Sequence, residues 1–371
     1  MKKKLEANSP EFRDLVGKLA NTKLTIPSLP SLPKIPMTSI SETTILHPIS
    51  SSSTSTMTKN DIKMESMSKD ILSTIAMNLD LPSLLRWCQS NSEINNHICN
   101  NSNVWRNKLL KDYPDYESFG LNRSLKETYV FMYQLSLIKN LLNSDESLYD
   151  IFQKSEIDLS NKKLRKIPAF DLPNLKILNL RGNKLIKLPS FLLPNLQKLD
   201  LSLNKLETVP SFDLPNLEVL KLSSNDLTML PEFHLPNLKD LNLGFNKLTK
   251  VPNLNLPNLK SLNLSFNKLT KVPTFNLRHL ENLNLSKNYL TELPPFDLPL
   301  LFSLDVSKNH LTNLHQFNLP KLEELNLESN KIENFPKLKL PPSLSVVNLR
   351  KNPIKNKKTI KNRYNIEIFN F

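Results

Sequence analysis

From Leu172 to Leu349 the chain returns again and again to one unit, Leu-Pro-Asn-Leu-x-x-Leu-x-Leu-x-x-Asn-x-Leu-x-x-Leu-Pro-x-Phe. A column of asparagines marks it: Asn183, Asn204, Asn225, Asn246, Asn267, Asn288, Asn309 and Asn330. Each follows the last by 21 residues, and Asn352 closes the run after a step of 22. A unit this short cannot enclose its own leucines, such as Leu196, Leu199, Leu201 and Leu206, whereas stacked copies can, so the repeat predicts an open solenoid. The Leu-x-Leu segment alternates at period two, the pattern of a short strand, and equivalent strands predict a parallel sheet. Two prolines per unit, such as Pro189 and Pro194, interrupt the return path and predict extended backbone there in place of helix. Phe191, Phe212, Phe233, Phe275, Phe296 and Phe317 recur at the same step and predict an aromatic spine.

The asparagine column reads as structural, because a side-chain amide can bond turn backbone that no strand partner reaches. The units depart from the consensus at Lys162, which takes the column position in the first unit, and at Arg278, His279 and His315. The residue between the last two strand leucines gives an outward row: Asn179, Asp200, Lys221, Asn242, Asn263, Asn284, Asp305, Asn326 and Asn348. Two residues further on, Arg181, Ser202, Ser223, Gly244, Ser265, Ser286, Ser307, Glu328 and Arg350 read as a second outward row.

The pattern L-x-x-L-x-L-x-x-N-x-L resembles the leucine-rich repeat family over more than half of the chain. That resemblance implies a curved solenoid whose concave face binds protein. The expected contact residues are Asn179, Arg181, Asp200, Lys221, Asn242, Asn263, Asn284, Asp305, Asn326 and Glu328. The fold class expected for the whole chain is α+β: a leucine-rich-repeat solenoid of short parallel strands with few or no convex helices, preceded by a small all-α domain.

Upstream, Ser68 is placed to cap a helix carrying Asp70, Ile71, Leu72, Ile75 and Leu79, and Asp80-Leu81-Pro82 opens a second one with Leu84, Leu85 and Cys88. Ile94 and Ile98 follow, then Val104, Trp105, Leu109 and Leu110. Ser124-Leu-Lys-Glu127 is a capping-box sequence that starts a longer helix. A shorter one around Ser147 to Gln153 is expected to cover the open edge of the first repeat. The stretch from Asp70 to Cys88, with Ile98-Cys99 and Val104-Trp105, is similar to an F-box, although Met67-Ser68 stands where that family has Leu-Pro. The F-box resemblance implies docking on a Skp1-like protein through Asp70, Ile71, Leu72, Ile75, Leu79, Leu81, Pro82, Leu84, Leu85 and Trp105. Its pairing with repeats looks like the F-box and repeat proteins of large DNA viruses of amoebae.

The expected domains are a disordered Ser/Thr/Pro-rich arm (1–60), an F-box-like domain (64–115), a helical linker and repeat cap (116–154), the repeats (155–354) and a basic C-terminal cap or tail (355–371). In the arm, Pro27, Pro30, Pro33 and Pro36 favour extended backbone, and such a composition buries too little apolar surface to offset chain entropy. The net charge of +14 raises nucleic acid as a partner, but the lysines are spread along the repeats and not gathered with arginines and aromatics into one patch. Four glycines form no phosphate loop, and HExxH, CxxC and GxSxG are all absent, so an enzyme, a cofactor and a metal are not expected. Cys88 and Cys99 read as core residues, and two cysteines without cysteine-clamped caps fit a reducing, intracellular setting. No apolar run is long enough to span a bilayer. The expected partners are therefore a Skp1-like protein and an unidentified target protein, with no small-molecule substrate, and the chain by itself is expected to be a monomer.

Overall fold

The computed structural model describes residues 68–363 and 369–371. The arm reading for residues 1–60, the basic Lys2–Lys4 included, lies outside the described residues. The chain divides into two compact units, with the boundary after Tyr133, inside the helix Leu125–Leu142.

The first unit is all helix. Lys69–Asn78 begins after Ser68, whose side chain makes no capping bond, contrary to expectation. Leu81–Ser90 begins after Asp80, whose carboxylate accepts from the Ser83 N–H at 2.9 Å, with Pro82 in the first turn where its missing N–H costs nothing. A turn at Ser92–Ile94 runs into a π-helical turn at Asn95–Cys99, and Ser102–Asp112 follows. Ile75, Leu84, Ile98, Trp105 and Leu109 fill the core, whereas Leu110 is exposed. Trp105 donates its indole N–H to the Cys99 carbonyl at 2.9 Å. Cys88 and Cys99 are both buried, and the structure joins them in a disulfide with Cα atoms 6.1 Å apart. The capping box is formed: the Glu127 carboxylate accepts from the Ser124 N–H and hydroxyl, which together hold it below its ordinary range.

In the second unit eleven short strands form one parallel sheet, from Glu156–Asp158 through Lys198–Asp200 and Asp240–Asn242 to Phe369–Asn370. The register follows the repeat: Leu178 pairs with Leu199, Leu199 with Leu220, and Leu325 with Val347 where the longer unit falls. The leucines on either side of the turn, such as Leu199, Leu201 and Leu206, are fully buried, each contributing on the order of 1.5–3 kcal/mol. Between the strands from Glu156–Asp158 to Val346–Asn348 the return segments contain no helix; Leu148–Gln153 precedes them and Lys357–Arg363 follows them. Leu148–Gln153 buries Ile151 and Phe152, and its Gln153 accepts from Asn174 in the first unit of the array at 2.7 Å. The spine is present with one gap. Phe170 to Phe233 succeed one another at centroid spacings near 6 Å, Leu254 breaks the series, and Phe275, Phe296 and Phe317 resume it.

The asparagine column does the work expected of it. Asn204 donates from its amide to the carbonyls of Leu180 and Leu201, both at 3.0 Å, and accepts from the Leu185 N–H at 3.0 Å. Each column member thus ties its own turn to the preceding unit. The residue before it takes a left-handed backbone in every unit, including Leu203, Phe245 and Lys287. Only Gly182 is glycine there, and a Cβ at that point would collide with the Asn161 side chain.

Candidate protein-binding face

Each strand buries its central apolar residue and turns the residues on either side toward the outer face of the sheet. Two rows therefore line that face. One is the expected row from Asn179 to Asn348. The other, unnoticed in the sequence, is Ile177, Lys198, Val219, Asp240, Ser261, Asn282, Ser303, Glu324 and Val346. The period-two rule contains both, and the signal was available in every Lys198-Leu199-Asp200 triplet.

The expected row has a second task. Asn179, Asp200, Asn242, Asn263, Asn284, Asp305, Asn326 and Asn348 each accept the N–H two residues on, at 2.9–3.2 Å. These side chains are half-buried and hold the turn that follows the strand. Lys221 alone cannot accept such a bond, and it is exposed. The second row expected to point outward needs correction. Ser202, Ser265, Ser286 and Ser307 are buried, as is Gly244, and only Arg181 and Arg350 are exposed. The turn ends the alternation of the strand one residue early and packs these small groups between units. Thus Ser223 donates to Ser202 at 3.1 Å, and Ser265 to Asn263 at 2.7 Å. Glu328 is half-buried and its carboxyl is lowered, first by the hydrogen bond from Lys351.

A second asparagine column was also missed. Asn195, Asn216, Asn237 and Asn258 each donate to the proline carbonyl of the preceding unit at 2.9 Å. His279 continues it, with Nδ1 2.8 Å from the Pro257 carbonyl, which explains why histidine is tolerated in mid-array.

Asp240 stands out electrostatically. It sits in the outer row, and burial pushes its carboxyl above the ordinary range, with Lys221 opposing the shift. Phe245 and Phe266 stack at 3.8 Å on one flank of the strands, with the Lys287 ammonium 3.8 Å over the second ring.

In the helical unit, Leu72, Ile75, Leu79, Leu81, Leu84 and Trp105 are buried, so six of the ten expected docking residues are core. Asp70 and Pro82 are exposed, and Ile71 and Leu85 are half-buried. A buried polar group went unread: Lys108 donates to the Leu79 carbonyl at 2.7 Å, pairs with Asp112 at 3.2 Å and lies over the Tyr129 ring. Burial lowers its ammonium, with Asp112 opposing, and the same burial pushes the Tyr129 phenol up as it donates to Asp112 at 2.6 Å. Among the described residues no group of histidines, cysteines and carboxylates is arranged to hold a metal ion, and no helix is long and apolar enough to cross a membrane.

A family model for leucine-rich repeats (two copies) matches residues 194–232, 215–256, 236–278 and 257–298. The array is built of leucine-rich repeats. Among solved structures, YopM from Yersinia enterocolitica WA-314 is similar at 27% identity, covering 66% of this chain and 56% of that one, with a TM-score of 0.51. YopM from Yersinia pestis, described as a leucine-rich effector protein, covers 66% of this chain and 71% of its own at 26% identity and a TM-score of 0.47. InlP from Listeria monocytogenes covers 48% and 64% at 29% identity and a TM-score of 0.42. The chain spans little more than half the length of the first of these. The comparison with curated proteins found no match. Repeats of this kind form a protein-interaction scaffold.

Proposed function

We propose that this chain is a two-part interaction protein. The repeats hold a target protein against their concave face. The helical unit docks on a Skp1-like protein, so that the whole acts as the substrate adaptor of a Skp1–cullin–F-box ubiquitin ligase. It would act by proximity alone, holding the target near a conjugating enzyme and contributing no reacting group. The observation that carries the capture half is the outer strand row, from Ile177 to Val346. Its side chains stand about 4.8 Å apart from strand to strand on a rigid sheet, with no internal bonding task for most of them. The docking half rests on the F-box-like spacing from Asp70 to Trp105 and on the half-buried apolar pair Ile71 and Leu85.

A scaffold with no ubiquitin role is the alternative. Met67-Ser68 in place of Leu-Pro favours it, and so does the burial of Leu72, Leu79 and Leu84 in the core of the helical unit. Co-purification with a Skp1–cullin pair separates the two. The informative variant is Ile71→Asp with Leu85→Asp, because neither residue is fully buried. The adaptor reading expects the wild type to retain Skp1 and the variant to lose it, with helical content unchanged. No retention by the wild type leaves the scaffold reading. For the target, Val219→Arg with Ser261→Arg is expected to abolish concave crosslinking of a partner without altering the fold.

A further inference from the structure

The regular lining of the array opens at one place. The second asparagine column bonds unit to unit through Asn258 and His279, but the next two positions are Leu300 and Lys321, and neither continues the series. Without a side chain bridging to the preceding unit, a cleft of about 510 Å³ forms where the chain enters the strands, lined by Glu281, Asn282, Leu300, Phe302, Lys321 and Glu323 among others. Phe302 is 41% exposed there, in a row filled by lysine, glutamine, glutamate or serine in the other units. Backbone bonds fix its neighbours: its N–H donates to the Glu281 carbonyl at 2.7 Å, and the Glu323 N–H donates to its own carbonyl at 2.9 Å. An aromatic side chain is thus bracketed by two glutamates, one strand to each side.

Charge selects the occupant. Glu281 is already paired with Lys260 at 2.8 Å, whereas the Glu323 carboxylate has no ion pair or hydrogen bond among the described residues. Across the three strand segments at 281–286, 302–307 and 323–328 there are Glu281, Asp305, Glu323, Glu324 and Glu328 and no lysine or arginine, and Lys321, just before the last of them, is the one cation among the described residues that line the cleft. In a chain of net charge +14 these strands carry a local excess of carboxylates, beside the exposed ring of Phe302. A planar guanidinium can stack on an aromatic face and donate edge-on to a carboxylate, which neither an acidic nor an apolar side chain can do.

We propose that this cleft receives an arginine side chain from a basic segment of the protein bound on the concave face. Phe302 supplies the stacking surface and Glu323 the charge. The inference rests on the reading of that face as a protein-binding surface and adds the chemistry of its partner.

The test is fluorescence anisotropy of the full chain with a labelled dodecapeptide of alternating arginine and serine, at low salt, beside its lysine and glutamate counterparts. The arginine peptide is expected to bind more tightly than the lysine one, and the glutamate peptide not at all. Phe302→Ser and Glu323→Gln are each expected to weaken the arginine peptide about five-fold. Glu292→Gln, on another part of the solenoid, is expected to leave it unchanged, and circular dichroism confirms that each variant is folded. Absence of arginine-peptide binding, or binding that Phe302→Ser and Glu323→Gln leave intact, overturns the proposal. Loss of partner crosslinking in Val219→Arg with Ser261→Arg reports on the concave face separately, so the cleft can fail while that face stands.

Discussion

At the residue scale the column asparagine shows how one side chain can hold a repeat together. Asn246 donates to Leu222 and Leu243 and accepts from Leu227, satisfying three backbone groups that no strand reaches. Asn246→Ala leaves them unpaired in the interior and is expected to cost roughly 1–3 kcal/mol in urea denaturation. Asn246→Asp keeps the shape and loses both donors, so it is expected to be at least as damaging near neutral pH. Asp240 gives the opposite sign. Its carboxyl is raised above 3.8 by burial, so the folded state holds the proton more tightly than the unfolded chain. The resulting penalty is absent below the unfolded pKa and grows as pH rises through the folded one. Asp240→Asn is therefore expected to raise the midpoint at pH 7 and to make no difference near pH 3, which paired denaturation curves at the two pH values measure.

At the scale of elements, the helical unit depends on a polar contact that its apolar pattern conceals. Lys108 is 2% exposed and closes the end of helix Lys69–Asn78 by bonding the Leu79 carbonyl, while its pairing with Asp112 joins it to Tyr129. Lys108→Met preserves the packing of the stem and removes the donor, so that the carbonyl and Asp112 both lose a partner. It is expected to destabilise the unit by about 2–4 kcal/mol, read from thermal unfolding followed by Trp105 fluorescence. The six buried F-box-like residues belong to the same lesson. Apolar spacing marks a helix face, but a face that packs on its own domain and one that packs on a partner have the same spacing. Only the arrangement of the neighbouring helices separated Leu72 and Leu84 from Ile71 and Leu85.

At the scale of the whole array, each unit touches only its neighbours, so stability is nearly additive along the chain. Removing one complete unit, residues 253–273, rejoins identical surfaces and is expected to leave a folded array with a proportionally smaller far-UV signal. Removing half a unit misplaces every following leucine by half a turn and is expected to expose the core and aggregate. Circular dichroism and light scattering on the two deletions distinguish these outcomes. The charge pattern also belongs to this scale. The acidic stretch from Glu281 to Glu328 is composed of residues far apart in sequence, and stacking brings them onto adjoining strands.

The sequence by itself determined the solenoid, its 21-residue step, the strand positions and the structural role of the asparagine column, because all of these follow from a local rule repeated many times. It also placed the helix starts at Asp80 and Ser124, which depend on neighbours three or four residues away. What only the tertiary structure decided was direction and depth. Whether Ser202 points outward or is sealed between units depends on where the turn begins. Whether Leu84 is a docking group or a core group depends on helices from elsewhere in the unit. Whether Leu300 and Lys321 close the lining or leave a cleft depends on the carbonyl they face one unit earlier. Each of these is a relation between residues some twenty positions apart or more, and a side-chain alphabet read along the chain carries no coordinate across that gap.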